Sequence, residues 1–269
     1  MEPKFFELAF QNSISTELSE IIMNYQQQKK DKQMKTVFHK SSERGHANHG
    51  WLNAKHSFSF ASYHDPNKMH FGLLRVLNDD IVAPGMGFGT HPHDNMEIVT
   101  IPLKGALEHR DSMGNIGVIH PHEIQAMSAG SGITHSEYNH SKTEEINLLQ
   151  IWVFPRERNI TPRYDQRVFT EEEKTGKFKT IVAPVKSADV MWINQDAYFS
   201  LGKFIAGSSV DYNIQHKGNG AYVFIIEGEA KIESYILEKR DALGIWETDK
   251  FKIDITKDAE ILVIDVPMQ

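Results

Sequence analysis

From Met34 to the C-terminus the chain is a succession of short apolar runs closed by Gly, Asn, Asp and Pro. That punctuation is the spacing of an all-β domain. It predicts strands over 58–63, 72–77, 96–103, 106–109, 117–120, 123–128 and 146–154. Turns are expected at Asn78-Asp79-Asp80 and Ser112-Met113-Gly114-Asn115, where short polar side chains compete for the backbone. A polar connection, 156–179, leads to a second series over 190–193, 198–205, 210–215, 221–227, 230–235 and 260–266. Its turns are expected at 216–220 and Glu227-Gly228-Glu229, and residues 170–174 of the connection read as one helical turn. Trp192, Phe199, Phe204, Tyr222 and Phe224 give the second series its aromatic core area.

Residues 1–33 break this pattern. Leu18, Ile21, Ile22 and Tyr25 fall at helical spacing within 15–28, with Ser15 or Thr16 as cap, and predict a short amphipathic helix. The polar stretch 26–33 reads as a solvated linker. The apolar segment Phe5-Phe6-Glu7-Leu8-Ala9-Phe10 is too short and too interrupted for a secretion signal or a membrane span. The expected organisation is an extension over 1–33, a β domain over 34–165 and another over 166–269.

Composition acts mainly by exclusion. A chain of 269 residues, 40% hydrophobic and 24% charged, is an ordinary globular chain with material for one large or two modest domains. A net charge of −7 argues against general nucleic-acid affinity, which depends on neutralising phosphates. With no cysteine, disulfides, zinc–thiolate sites, cysteine-ligated iron–sulfur clusters and cysteine nucleophiles are excluded, and a cytoplasmic location is the expectation.

The chemistry gathers between Gly85 and Asn139. His91-Pro92-His93 places two imidazoles on one face if it lies on a strand, and His135-Ser136-Glu137 repeats the arrangement. Two such strands facing each other across a barrel would bring three imidazoles and a carboxylate together. Neutral imidazole plus carboxylate, without thiolate, suits one divalent transition metal: Fe(II), Mn, Ni, Cu or Zn. Such a ligand set leaves up to two positions open on a six-coordinate ion, the mark of a catalytic centre. Glu97, four residues beyond His93, is a rival carboxylate ligand. His109, His120, His122 and His140 lack the combination of a paired ligand with a glycine-rich approach, and read as surface residues or supports behind the ligands. Glu108, Arg110 and Asp111 read as a turn-stabilising cluster, and Met96, Met113 and Met127 as core filler. In the second series His216 stands alone, so no metal site is expected there.

The spacing Gly85-x5-His91-x-His93-x3-Glu97 resembles the first cupin motif, and Gly132-x2-His135-x3-Asn139 the end of the second. The wording of His56-Ser57-Phe58-Ser59-Phe60, His91-Pro92-His93-x-Asn95-Met96-Glu97, Gly105-Ala106-Leu107-Glu108-His109-Arg110-Asp111-Ser112 and Gly130-Ser131-Gly132-Ile133-x-His135-Ser136-Glu137 is similar to the pirin family. The resemblance runs from about Met34 to the C-terminus and is more specific in the first series. It implies a bicupin of two double-stranded β-helix barrels, with a metal-binding cupin over 34–165 and a degenerate one over 166–269. It also implies that His91, His93, His135 and Glu137 carry the metal, Fe(II) first among the candidates, and so favours Glu137 over Glu97. The activity it implies is dioxygenase chemistry on flavonols of the quercetin type, with carbon monoxide released. There the substrate hydroxyl sits on the metal as an oxyanion and Glu137 takes its proton. The partners expected are a small aromatic substrate and dioxygen, with no membrane. A non-enzymatic, metal-dependent regulator or redox sensor that binds a protein partner is the rival reading, and a zinc-dependent cupin isomerase the third.

Overall fold

Along Ile133–Asn139 buried positions fall at Ile133, His135, Glu137 and Asn139, the alternation of a strand with one face turned inward. Along Ile261-Leu262-Val263-Ile264 both faces are covered, and the run is apolar throughout. The computed structural model describes residues 34–269, and the helix expected over 15–28 lies outside the described residues.

These strands form two barrels packed against each other. In the first, a four-stranded sheet ordered β5 (Gly87–His93), β10 (Ile133–Asn139), β7 (Leu107–Asp111) and β8 (Ile116–Ile119) faces a seven-stranded one. The larger sheet runs β12 (Arg163–Val168), β9 (Glu123–Ser128), β6 (Glu97–Lys104), β11 (Ile146–Val153), β4 (Leu74–Val82), β3 (Leu52–His56) and β2 (Gly45–Asn48). The second barrel is a nine-stranded sheet. Its path is β1 (Lys35–His39), β19 (Ala242–Trp246), β17 (Asn219–Ile232), β20 (Lys250–Pro267), β15 (Tyr198–Phe204), β13 (Phe178–Ala183) and β14 (Met191–Trp192), with β16 (Ser209–Asn213) on β20 and β18 (Tyr235–Glu238) on β17. The first described strand therefore belongs, by its pairing with β19, to the second barrel.

The cores of the two barrels differ in kind. Leu149 and Ile151 of β11 meet Leu201, Tyr222, Phe224, Leu262 and Ile264 in one apolar cluster between the barrels. The alternate residues of β17 and β20, such as Val223, Ile225, Ile261 and Val263, fill the second barrel with aliphatic side chains. In the first barrel the inward face of β11 carries Leu148, Gln150 and Trp152, and its apolar clusters are small.

Several expectations are corrected. Residues 58–63 form no strand but an isolated bridge between Phe60 and Tyr63. Asn78-Asp79-Asp80 is no turn: it lies inside β4, polar because Asn78 faces the barrel interior and Asp79 meets Arg240 at 2.8 Å. The connection 156–179 contains β12 and the start of β13, together with the expected helical turn α1 (Glu171–Lys174), capped by Thr170. Glu227-Gly228-Glu229 is absorbed into β17 as register shifts against β20, where φ at Gly228 is +88°. Strand β20 starts at Lys250, ten residues before the strand read over 260–266. Met113 is 41% exposed and so is not core filler. Among the described residues no helix is long and apolar enough to cross a membrane.

Candidate metal centre

The two ligand-bearing segments do not face each other across the barrel; they are neighbouring strands. β5 and β10 pair antiparallel with His135 directly opposite His91 and Ile133 opposite His93, and a register shift follows before Glu137. Direct partners share a face, so the i, i+2 spacing on each strand gathers the side chains on one side of the sheet. The rings of His91, His93 and His135 stand 4.4 to 4.9 Å apart, centroid to centroid. One ring nitrogen from each lies within 4.8 Å of the others. His91 and His93 are half-buried and His135 is buried, so the cluster opens on the β5 side and is closed behind β10.

The donor atoms suit a cation. His91 Nδ1–H donates to the Gly89 carbonyl at 2.8 Å, which leaves the Nε2 lone pair free. Neither nitrogen of the buried His135 has a hydrogen-bond partner, a state that burial penalises unless something outside the chain meets it. Burial and the neighbouring imidazoles push His135 down to about 3 and His93 down to about 4, so both stay neutral near pH 7 and keep a lone pair to offer.

β10 is flanked on its other edge by β7, where Glu137 pairs with His109 and His135 with Asp111. The face thus carries a third i, i+2 pair, His109 and Asp111, both with fully buried side chains. Glu137, His109 and His135 form a second set of donors within 4.8 Å, sharing His135 with the first. His109 has both nitrogens engaged: Nε2 with Asp111 Oδ2 at 3.3 Å and Nδ1 with Gln125 Nε2 at 3.5 Å. Its ring stacks on Tyr164 at 4.7 Å. Room for that phenol comes from Gly117, opposite His109 on β8, where a Cβ would lie 3.0 Å from the Tyr164 hydroxyl. Asp111 also accepts from the amides of Met113 and Asn115, so it is both the expected turn anchor and the group that holds His109.

The facing sheet supplies a polar rung. Gln166, Gln125, Thr100, Gln150, Asn78 and His56 are direct neighbours across β12, β9, β6, β11, β4 and β3. Thr100 Oγ1 donates to Gln150 Oε1 at 3.0 Å, and Gln150 Nε2 donates to both oxygens of Glu137, at 3.0 and 3.3 Å. Burial pushes the Glu137 carboxyl up, with His109 and the Gln150 hydrogen bond opposing. Trp152, on the same strand as Gln150, stands edge-on against His93 at 4.8 Å.

Glu97 lies in neither donor set. It is buried and accepts from Ser128 Oγ at 2.7 Å and from the Asn194 amide at 3.1 Å, tying the first barrel to the turn before β15. Burial pushes it up to about 7 against the pull of those two hydrogen bonds. His216 is exposed, and among the described residues both donor sets belong to the first barrel. His109 was legible only as half of His-x-Asp; what hid it was the absence of a glycine-rich approach before that pair.

Comparison with known proteins agrees with this architecture. The family model described as Pirin matches residues 37–153, and that described as the quercetinase C-terminal cupin domain matches 180–266. A quercetin 2,3-dioxygenase of Escherichia coli (strain K12) is 42% identical over 228 residues, covering 85% of this chain and 97% of its own. A pirin-like protein of Caulobacter vibrioides is 40% identical over 222 residues, covering 82% and 95%. The crystal structure of the bacterial pirin YhhW from Escherichia coli in complex with nickel(II) has a TM-score of 0.82 at 41% identity, covering 87% of this chain and 99% of that one.

Proposed function

The chain belongs to the pirin family, and from that premise we propose that it is a metal-dependent dioxygenase that opens flavonols of the quercetin type with release of carbon monoxide. One observation carries the reading: a buried His135 with two unpartnered nitrogens, facing His91 and His93 at the open end of the cluster. Family membership supports a metal-dependent enzyme of the cupin kind; substrate, metal and residue roles belong to the proposal. His91, His93, His135 and Glu137 would hold one divalent ion. Fe(II) is the ion proposed, and nickel, which YhhW holds in its complex, is the first rival, ahead of Zn, Mn and Cu. When bound, such an ion supplies Lewis acidity towards a substrate oxyanion.

The remaining work falls to side chains. Glu137 takes the flavonol hydroxyl proton, and its burial makes it a stronger base than an exposed carboxylate. Gln150, braced by Thr100, fixes the carboxylate's orientation. Trp152 props the His93 ring, and Asp111 with Gln125 holds His109 behind Glu137. The closed side behind β10 keeps bulk water off that proton.

The test is oxygen uptake and carbon monoxide release with quercetin, alongside elemental analysis of protein purified without a histidine tag. Glu137→Gln should lower turnover roughly 100-fold or more, the scale of a lost general base, while three imidazoles retain metal at lower affinity. A parent that consumes no oxygen with any flavonol would end the dioxygenase reading in favour of a metal-dependent binding protein.

A further inference from the structure

Away from the metal centre a cavity of about 150 Å³ lies between the barrels. Ile101 and Ile124 from the first barrel and Leu201 and Ile226 from the second form the apolar part of its wall, and Glu123, Lys203, Glu227 and Glu260 the polar part. Lys174, the last residue of α1, lines it and is only 3% exposed. A lysine buried to this degree is ordinarily paired with a carboxylate. Among the described residues none comes within 4.0 Å of its Nζ, whose hydrogen-bond partner is His122 Nδ1 at 3.4 Å.

His122 stands in the turn before β9 with φ at +71°, a conformation few residues other than glycine adopt. Its backbone carbonyl accepts from the Phe169 amide at 2.8 Å, which fixes the turn. Glu171 Oε1 lies 3.2 Å from the same Nδ1 and also pairs with Lys203. One imidazole nitrogen can therefore accept a proton from Lys174 or donate one to Glu171. Burial draws the Lys174 amine below the ordinary lysine range, with Glu260 and Glu171 opposing, so more of it is the nucleophilic free base.

We propose that Lys174 and His122 form a carbonyl-binding site, where a small uncharged aldehyde is held as an imine in the cavity between the barrels. The small volume and the mixed apolar and polar lining set the ligand class. Glu123, Glu227 and Glu260 at the lining outnumber the two lysines, Lys174 and Lys203, which disfavours an anion. The Lys174 nitrogen adds to the carbonyl carbon, and His122 Nδ1 takes a proton as that bond forms. His122 returns the proton to the departing oxygen. The oxygen leaves as water with the two hydrogens of the amine, and a C=N bond replaces C=O. The site shares no residue with the metal centre, so the two readings stand or fall separately.

The test is reductive trapping on the full chain at pH 7 with propionaldehyde as probe and cyanoborohydride as hydride source, read by peptide mass mapping. Lys174 should be alkylated at least about 10-fold faster than the exposed Lys239 and Lys252, and Lys174→Met should abolish the fast phase. His122→Asn, which tolerates positive φ, should slow Lys174 by about 10-fold or more while leaving the exposed lysines unchanged. If Lys174 is instead among the slowest lysines to react, it is a structural residue in a closed cavity and the proposal falls. If Lys174 reacts fast and His122→Asn leaves its rate unchanged, the proposed pair falls.

Discussion

At Glu97 the carboxyl group is 2% exposed, with one oxygen bonded to Ser128 and Asn194 and the other without a partner. Its folded pKa of about 7 stands above the ordinary 4.5. A raised folded value means that the folded state holds the proton more tightly. The resulting stabilisation is present in full below pH 4.5 and is lost as pH rises through 7. Glu97→Gln removes the charge, so the variant should lose less stability than the parent between pH 4.5 and 8. The relative gain should be about 2–3 kcal/mol at the upper end, read from urea melts across that range. Metal content should not change, since the side chain lies outside both donor sets. A variant that lost its metal would return Glu97 to the ligand set and displace Glu137.

The element that most shapes the site is the rung of polar residues crossing the seven-stranded sheet. A barrel interior filled with aliphatic side chains, like that of the second barrel, would leave Glu137 with no donor. Thr100 is 0% exposed and holds Gln150 through Oγ1, so the hydroxyl acts on Glu137 through one intervening amide. Thr100→Val keeps the volume and deletes the donor. It should cost about 1–2 kcal/mol in urea denaturation, and it should weaken metal affinity about 10-fold through the loosened carboxylate. Unchanged metal affinity would show that Gln150 holds Glu137 without help.

For the whole molecule the question is what locks one barrel to the other. Beside the shared apolar cluster, Asp79 on β4 meets Arg240 of the second barrel at 2.8 Å and Arg44 at 3.6 Å. The side chains of all three are 4% to 14% exposed. Arg44 also stands over the Phe224 ring at 5.3 Å, and Arg240 donates to Asn147. Asp79→Ala would leave two guanidinium groups buried without their carboxylate. A loss of about 3 kcal/mol is expected, because the uncompensated charge is worse than no pair at all. Scanning calorimetry should show a lowered transition that begins to divide into two, one for each barrel. A single transition at the parent's temperature would place the lock wholly in the apolar cluster.

The sequence by itself determined what depends on neighbours along the chain. Two His-x-His/Glu pairs with their glycines marked the imidazole cluster, the Ser112–Asn115 turn fell between β7 and β8, and Thr170 capped its short helix. Tertiary structure decided what depends on strands far apart in sequence. It made β5 and β10 neighbours rather than opposed walls and brought His109 and Asp111 to the same face. It also turned Asn78-Asp79-Asp80 from an apparent turn into a strand, with one face on a polar interior and the other on Arg240. The physical reason is common to these cases. A polar residue looks like turn or surface in one dimension, because the pattern cannot show that its partner arrives from another strand. Where burial is apolar the pattern suffices; where burial is polar, only the assembled barrel supplies the donor that makes it affordable.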